Sequence, residues 1–314
     1  MPSLSWSQWL VIGVISVLVL AQPSLASSLP QPSVDSISPE LTLVELPQTL
    51  VVTNSETEPA SRPFITAQAA IIVDSESGAI LYAHNHQQPL APASVTKLLT
   101  ALVARDIFYL DQVLTVDQNL TVPGNSIKFR PGEKVSVRNL IKALLIQSGN
   151  DAAVILALNH PDGYEGFMAA MNEHARLLGL TNSHFINPSG LDAPDHYSSA
   201  LDISILLSQA LQDPFLRSAL SQVAADIEDT SGLQARRLYN TNQLLWAGRA
   251  LAGKTGTTEA AGQVLTTLVS INDQPVIITV LGSQDRYQDT LQLTSWLQSQ
   301  YMWVELATTP LVHY

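Results

Sequence analysis

Val264 to Ile271 reads VLTTLVSI, Asn272 to Gln274 reads NDQ, and Pro275 to Gly282 reads PVIITVLG. Two apolar runs rich in β-branched residues around a polar tripeptide predict a pair of antiparallel strands joined by a turn. Ala69 to Asp74 and Ala79 to His84 have the same character and flank Ser75-Glu76-Ser77-Gly78, which predicts a second hairpin. Between these regions the apolar spacing is helical. Pro92-Ala93-Ser94 opens a helix that runs to about Ile107. Val137 to Leu158, Glu165 to Leu180, Leu201 to Leu211 and Pro214 to Val223 keep the same period. Strand character resumes after Lys254, and Asp285 to Gln300 reads as a last amphipathic helix. Two strands, a long helical middle, then about three strands and a helix predict an α/β (α+β) fold. An antiparallel sheet of about five strands, built from both chain ends and flanked by helices, carries an inserted helical lobe over about residues 108–240. A cleft between two such lobes is a common place for an active site.

The chain has 314 residues, enough for a large core, and a net charge of −12. That charge argues against nucleic acid as a partner, because neutralising phosphates needs clustered Lys and Arg. With no cysteine in the sequence, disulfides, thiolate zinc sites and a cysteine nucleophile are excluded. Leu10 to Ala21 is an apolar run of 12 residues followed by Ser24-Leu25-Ala26, the pattern of an export signal cleaved after Ala26. The run is short for a spanning helix, and no Lys or Arg precedes it, so an uncleaved anchor is the alternative. Either reading places the rest outside the cytoplasmic membrane, in the periplasm or cell-wall space. Residues 27–66 hold six of the 18 prolines and a net charge of −4, and are expected to form an acidic linker. A folded domain over 67–304 and a tail over 305–314 complete the expected organisation.

Three short patterns carry chemistry. In Ser94-Val95-Thr96-Lys97 the serine and lysine share one helix face, so the lysine can take the hydroxyl proton if its neutral form is favoured. Burial favours that form, as does a nearby cation such as Lys254. Ser148-Gly149-Asn150 interrupts strongly apolar helical surroundings and either caps a helix or faces a cavity. Lys254-Thr255-Gly256, followed by Thr257-Thr258, offers donors for a carboxylate and a glycine that admits close approach, or else forms a plain turn.

The ordered S-x-x-K, S-x-N and K-T-G patterns resemble those of the penicillin-binding serine enzymes and β-lactamases. The flanking residues resemble the D-alanyl-D-alanine carboxypeptidases, the low-molecular-mass penicillin-binding proteins. These are Pro92-Ala93-Ser94, Asn150-Asp151-Ala152-Ala153, Asn187-Pro188-Ser189-Gly190-Leu191, His196-Tyr197-Ser198, Asn240-Thr241-Asn242 and Ala261-Gly262. The resemblance covers about Ala67 to Gln300. It implies a β-lactamase/penicillin-binding-like fold and hydrolysis of the terminal D-alanine from peptidoglycan stem peptides, with β-lactam antibiotics as covalent inhibitors. It implies Ser94 as nucleophile, Lys97 as base and Ser148 as the proton donor to the leaving group. Asn150 would orient Lys97 and the substrate amide. Lys254, Thr255 and Gly256 would form the carboxylate-binding strand, and the N–H groups of Ser94 and Thr257 the oxyanion hole. No metal or organic cofactor is implied. Only Trp303 to Tyr314 follow the last helix, so the additional β-rich domain and the C-terminal membrane anchor of many members are not expected here.

Peptidoglycan endopeptidase action uses the same residues and stays open. A class A β-lactamase would need a glutamate some three dozen residues after S-x-N, and Thr181 to Leu191 contains none; Asp192 and Asp195 lie just beyond it. A non-catalytic β-lactam or wall sensor would need a degraded catalytic set, or a membrane-spanning signalling segment beyond the amino terminus.

Overall fold

The hydrophobic alternation in the last hairpin places one set of side chains on each face of a sheet that is covered on both sides. The computed structural model describes residues 49–53, 62–116, 120 and 122–305. The proposed signal, most of the linker and most of the tail lie outside the described residues. In chain order the elements begin with β1 (Thr49–Thr53), β2 (Ala69–Asp74), β3 (Ile80–His84) and, after a 3₁₀ turn at Ala93–Thr96, α1 (Lys97–Ile107). Then come β4 (Val113–Thr115), β5 (Lys134–Ser136), α2 (Val137–Leu145), α3 (Asn150–Leu158) and α4 (Gly163–Leu177). They are followed by α5 (Ala200–Gln212), α6 (Pro214–Ser221), β6 (Ala224–Glu228), β7 (Ala235–Tyr239) and α7 (Gln243–Trp246). The chain closes with β8 (Ala252–Thr258), β9 (Gly262–Ile271), β10 (Gln274–Ser283), α8 (Arg286–Gln300) and β11 (Tyr301–Glu305).

The main sheet is antiparallel with strand order β3-β2-β10-β9-β8, so the two chain ends meet at the β2–β10 pair as expected. On β10, Val276, Ile278 and Val280 face α8, where they pack with Leu293 and Leu297. Leu281 faces the other side with Ile71, Val95 and Ile203. Each fully buried leucine of this kind contributes roughly 2 kcal/mol of transfer free energy. Thr266 and Thr279 sit opposite one another in register, and their hydroxyls hydrogen-bond at 2.7 Å, so neither polar group is buried unpaired. The helical lobe has its own core, with Leu99 and Val103 of α1, Leu144 of α2, Leu156 of α3 and Phe167 of α4 in one cluster.

Four details differ from the sequence reading. The β9–β10 turn contains two residues, because Gln274 already pairs with Ile271. Asn272 (φ +51°) and Asp273 (φ +64°) both adopt the left-handed conformation that a tight hairpin needs, and these two residue types tolerate it. The helical run from Val137 to Leu158 is two helices, broken where Ser148 turns to φ +64°. Short hairpins β4–β5 and β6–β7 interrupt the helical lobe, their strands too brief to show a clear alternation. Finally, Thr49–Thr53, inside the stretch read as linker, pairs antiparallel with Tyr301–Glu305. That pairing joins residues far apart in the chain, which a local reading cannot see. Among the described residues no helix is long and apolar enough to cross a membrane.

Candidate active site

The 3₁₀ turn at Ala93–Thr96 delivers Ser94 to the junction of the two lobes, and α1 starts at once with Lys97. Lys97 is fully buried, with Nζ 2.7 Å from Ser94 Oγ, 2.7 Å from Asn150 Oδ1 and 2.6 Å from the Ser189 carbonyl. Three oxygens surround the nitrogen, and burial favours the neutral amine among them. In that neutral form two N–H bonds serve the Asn150 and Ser189 oxygens, which leaves the lone pair for the Ser94 hydroxyl proton. Burial pushes the Lys97 pKa well below the ordinary lysine value, and the Lys254 charge adds to the effect, while Asp151 opposes it.

Ser148 and Asn150 come from the break between α2 and α3. Ser148, left-handed and 2% exposed, accepts a hydrogen bond from Lys254 Nζ at 2.9 Å. Gly149 sits where a side chain would meet Ile127 at 2.6 Å, so the bend cannot carry a larger residue without moving that neighbour. Asn150 opens α3 and donates its amide to the Pro123 carbonyl, which turns its oxygen to Lys97. The reading of the tripeptide as either a helix junction or a cavity wall therefore resolves into both.

Lys254, Thr255, Gly256 and Thr257 lie on β8, an edge strand of the sheet. An edge strand keeps one row of backbone N–H and C=O groups free for an extended peptide. Gly256 is required by packing, since a Cβ there would stand 2.8 Å from the Ser94 nitrogen and from Ala93 Cβ. Lys254 is 1% exposed and also donates to the Thr255 carbonyl at 3.0 Å. Burial and the nearby Arg286 charge lower its pKa to about 7. It works beneath the floor of the site and not as an open cation.

The cation that lines the cleft itself is Arg286, a partly buried residue absent from the sequence motifs. Its guanidinium donates to the carbonyls of Gly256 (2.6 Å) and Val264 (3.0 Å) and to Thr257 Oγ1. Burial lowers its pKa from the ordinary arginine value. A signal was available in the sequence. Arg286 is the first residue of α8, directly after its Asp285 cap, where the helix dipole disfavours a cation. Thr241, inside the Asn240-Thr241-Asn242 motif, places its hydroxyl 2.6 Å from that of Thr255. Ser94, Ser148, Asn150, Thr255, Gly256 and Thr257 line one cleft of about 650 Å³, together with Arg286, Thr241 and Asn125.

The segment Asn187–Leu191 closes the site from the far side. The Asn187 side-chain oxygen accepts from the backbone N–H groups of Ser189 (3.2 Å), Gly190 (2.8 Å) and Leu191 (3.0 Å), and the Ser189 carbonyl is thereby presented to Lys97. Buried His196 ties this segment to the turn that carries Ser94. Its Nδ1 accepts from the Ile186 N–H at 3.0 Å, so Nε2 carries the proton and donates to Thr96 Oγ1 at 3.0 Å. Burial holds the His196 pKa at about 4 and hence the ring neutral. Asp192, at the other end of β8, accepts from Thr258 Oγ1 (2.6 Å) and the Ala260 N–H (3.0 Å).

Residues 55–285 match the family described as D-alanyl-D-alanine carboxypeptidase. The chain is similar to the D-alanyl-D-alanine carboxypeptidase DacC of Escherichia coli (strain K12), with 34% identity over 251 residues, 74% of this chain and 62% of that protein. It therefore spans less than two thirds of that relative's length. A D-alanyl-D-alanine endopeptidase of the same strain is 33% identical over 263 residues, 81% of this chain and 84% of that one. The crystal structure of a D-alanyl-D-alanine carboxypeptidase from Mycobacterium tuberculosis H37Rv is similar, with a TM-score of 0.69 and 29% identity, covering 76% of this chain and 92% of that one.

Proposed function

The chain belongs to the D-alanyl-D-alanine carboxypeptidase family, and from that premise we propose that it is an exported serine carboxypeptidase. On this reading it removes the terminal D-alanine from peptidoglycan stem peptides and is acylated by β-lactams. One observation carries the reading: Lys97 Nζ lies 2.7 Å from Ser94 Oγ where burial favours the neutral amine.

The substrate lies along the free edge of β8 as an added strand. Its C-terminal carboxylate sits at the Thr255 and Thr241 hydroxyls, with the Arg286 guanidinium behind them. Lys97 takes the Ser94 proton as Oγ attacks the carbonyl between the two D-alanines. The N–H groups of Ser94 and Thr257 supply the oxyanion hole, on two segments that Gly256 allows to approach each other. The proton taken by Lys97 passes through Ser148 to the departing D-alanine amine, with Lys254, 2.9 Å away, holding the Ser148 hydroxyl, so that Lys97 is neutral again. Water then attacks the acyl-enzyme, with Lys97 again as base. No step calls for a metal or an organic cofactor. Export rests on the Leu10 to Ala26 pattern.

Intact-mass measurement after incubation with penicillin tests the reading. Wild type gains one penicillin mass and Ser94→Ala gains none; equal labelling of both refutes Ser94 as nucleophile. Peptidoglycan endopeptidase action is a second reading, because a D-alanyl-D-alanine endopeptidase of E. coli is similar to a comparable degree, at 33% identity. Release of D-alanine from a pentapeptide, set against cleavage of a cross-linked dimer, ranks the two.

A further inference from the structure

Neighbouring residues at the start of α3 turn to different tasks. Asn150 meets Lys97. The Asp151 carboxylate, 2% exposed, accepts from the N–H groups of Ile127 (3.0 Å) and Lys128 (2.8 Å) and from the Ser126 hydroxyl (2.8 Å). These bonds tie residues 126–128 to the start of α3, with Lys128 at φ +63°, a left-handed conformation that a lysine rarely adopts. Strain of this kind at an ordered position points to a function for the position.

The segment walls two spaces. Gly124 and Asn125 line the catalytic cleft. Ser126 to Pro131, with Ala235 and Arg236 at the start of β7, line a groove of about 490 Å³. Among the described residues no carboxylate lines this groove, whereas Lys128, Arg130 and Arg236 do. In a chain of net charge −12 that is a local reversal of sign. Arg236 is committed to Glu133, at 2.5 and 2.8 Å, and stacks on the Phe129 ring at 4.8 Å. Lys128 and Arg130 are exposed and form no ion pair among the described residues. They are the cations left for a ligand.

We propose that this groove is a second substrate subsite, taking a carboxylate carried upstream of the scissile bond on the same peptide. The inference rests on the carboxypeptidase reading. There the peptide is an added strand on β8, and its other edge is left to face Gly124 and Asn125 of segment 124–131. The enzyme then distinguishes acidic stem peptides from amidated ones by charge and not by the chemistry at Ser94.

Two pentapeptides ending in D-Ala-D-Ala test this, one with a free carboxylate at its second residue and one with the corresponding amide. Wild type favours the acidic peptide about three- to tenfold in kcat/KM, the size expected of two partly exposed ion pairs, and the preference lies in KM and shrinks with salt. In Lys128→Ala/Arg130→Ala the acidic peptide falls to the level of the amidated one, whose turnover stays at its wild-type value. An acidic-to-amide ratio unchanged by the double substitution, with D-alanine still released from both, overturns the subsite and leaves the carboxypeptidase reading standing. Release of D-alanine from neither peptide by wild type overturns the carboxypeptidase reading itself, and the subsite with it.

Discussion

Gly190→Ala separates the assembly of the site from its mere presence. Gly190 has φ +83°, and an added Cβ would lie 1.9 Å from the Ala93 carbonyl oxygen and 3.0 Å from the Ser94 nitrogen. Ordinary contact begins near 3.4 Å, so the two segments must part by about 1.5 Å (3.4 − 1.9), and both touching atoms on the nucleophile turn are backbone. Lys97 Nζ bridges these segments, at 2.7 Å to Ser94 Oγ and 2.6 Å to the Ser189 carbonyl. A shift of that size breaks one of the two contacts. The left-handed backbone costs alanine about 1–2 kcal/mol, and a lost hydrogen bond to a buried group adds about 1–3 kcal/mol. The expected loss of stability is roughly 2–5 kcal/mol. Misplacement of reacting groups by about 1 Å lowers acylation by about 10²-fold. The assay is the rate of labelling by a fluorescent penicillin, with a thermal melt of the same sample. Gly179→Ala is the control, since Gly179 has φ +72° and nothing within 4 Å of an added Cβ. It carries the backbone strain alone and keeps its acylation rate. If Gly190→Ala labels within threefold of wild type and melts like the control, the close approach of the two segments does not govern the site.

Further outcomes follow from the charges. Acylation is expected to rise with pH as Lys97 loses its proton at a pKa well below the ordinary lysine value, and a flat profile from mildly acidic to alkaline pH counts against Lys97 as base. Lys254 has a folded pKa of about 7 and an unfolded value of 10.5, so above pH 7 the unfolded chain holds the extra proton. Raising the pH from 7 towards 10 therefore favours the folded state. The Tm of wild type should climb relative to Lys254→Met over that window, and parallel curves would contradict the buried charge. Arg286→Ala is expected to raise KM for a free C-terminal carboxylate about tenfold or more, at the upper end of a charge-assisted pair. An amidated C-terminus should show little further loss, so equal losses on both substrates would assign Arg286 to holding β8 and not to the ligand.

The expected sheet is present because both faces of β2, β9 and β10 are buried, which leaves an unbroken record of β-branched residues at the two chain ends. The three motifs were legible as an ordered set that resembles those of a known family, and the structure gives each a packing reason. Gly256 must admit the nucleophile turn, Gly149 must clear Ile127, and Lys97 must share a helix face with Ser94. Arg286 and Thr241 were harder to read, since an arginine after a helix cap and a threonine between two asparagines fit many surfaces. The β1–β11 pair left no local trace, because strand pairing between residues so far apart depends on where the intervening domain brings them.

Composition and periodicity, acting over a few residues at a time, determined the strand–helix–strand order and the lack of any thiol chemistry, and the ordered motifs singled out Ser94 and Lys97 as candidates. Tertiary structure alone decided which carbonyl takes the second proton of Lys97, that Lys254 lies under the floor while Arg286 lines the cleft, and that one segment walls both the cleft and a cationic groove. Burial and charge proximity set a lysine's proton affinity, and both are properties of three-dimensional neighbours that the order of residues does not contain.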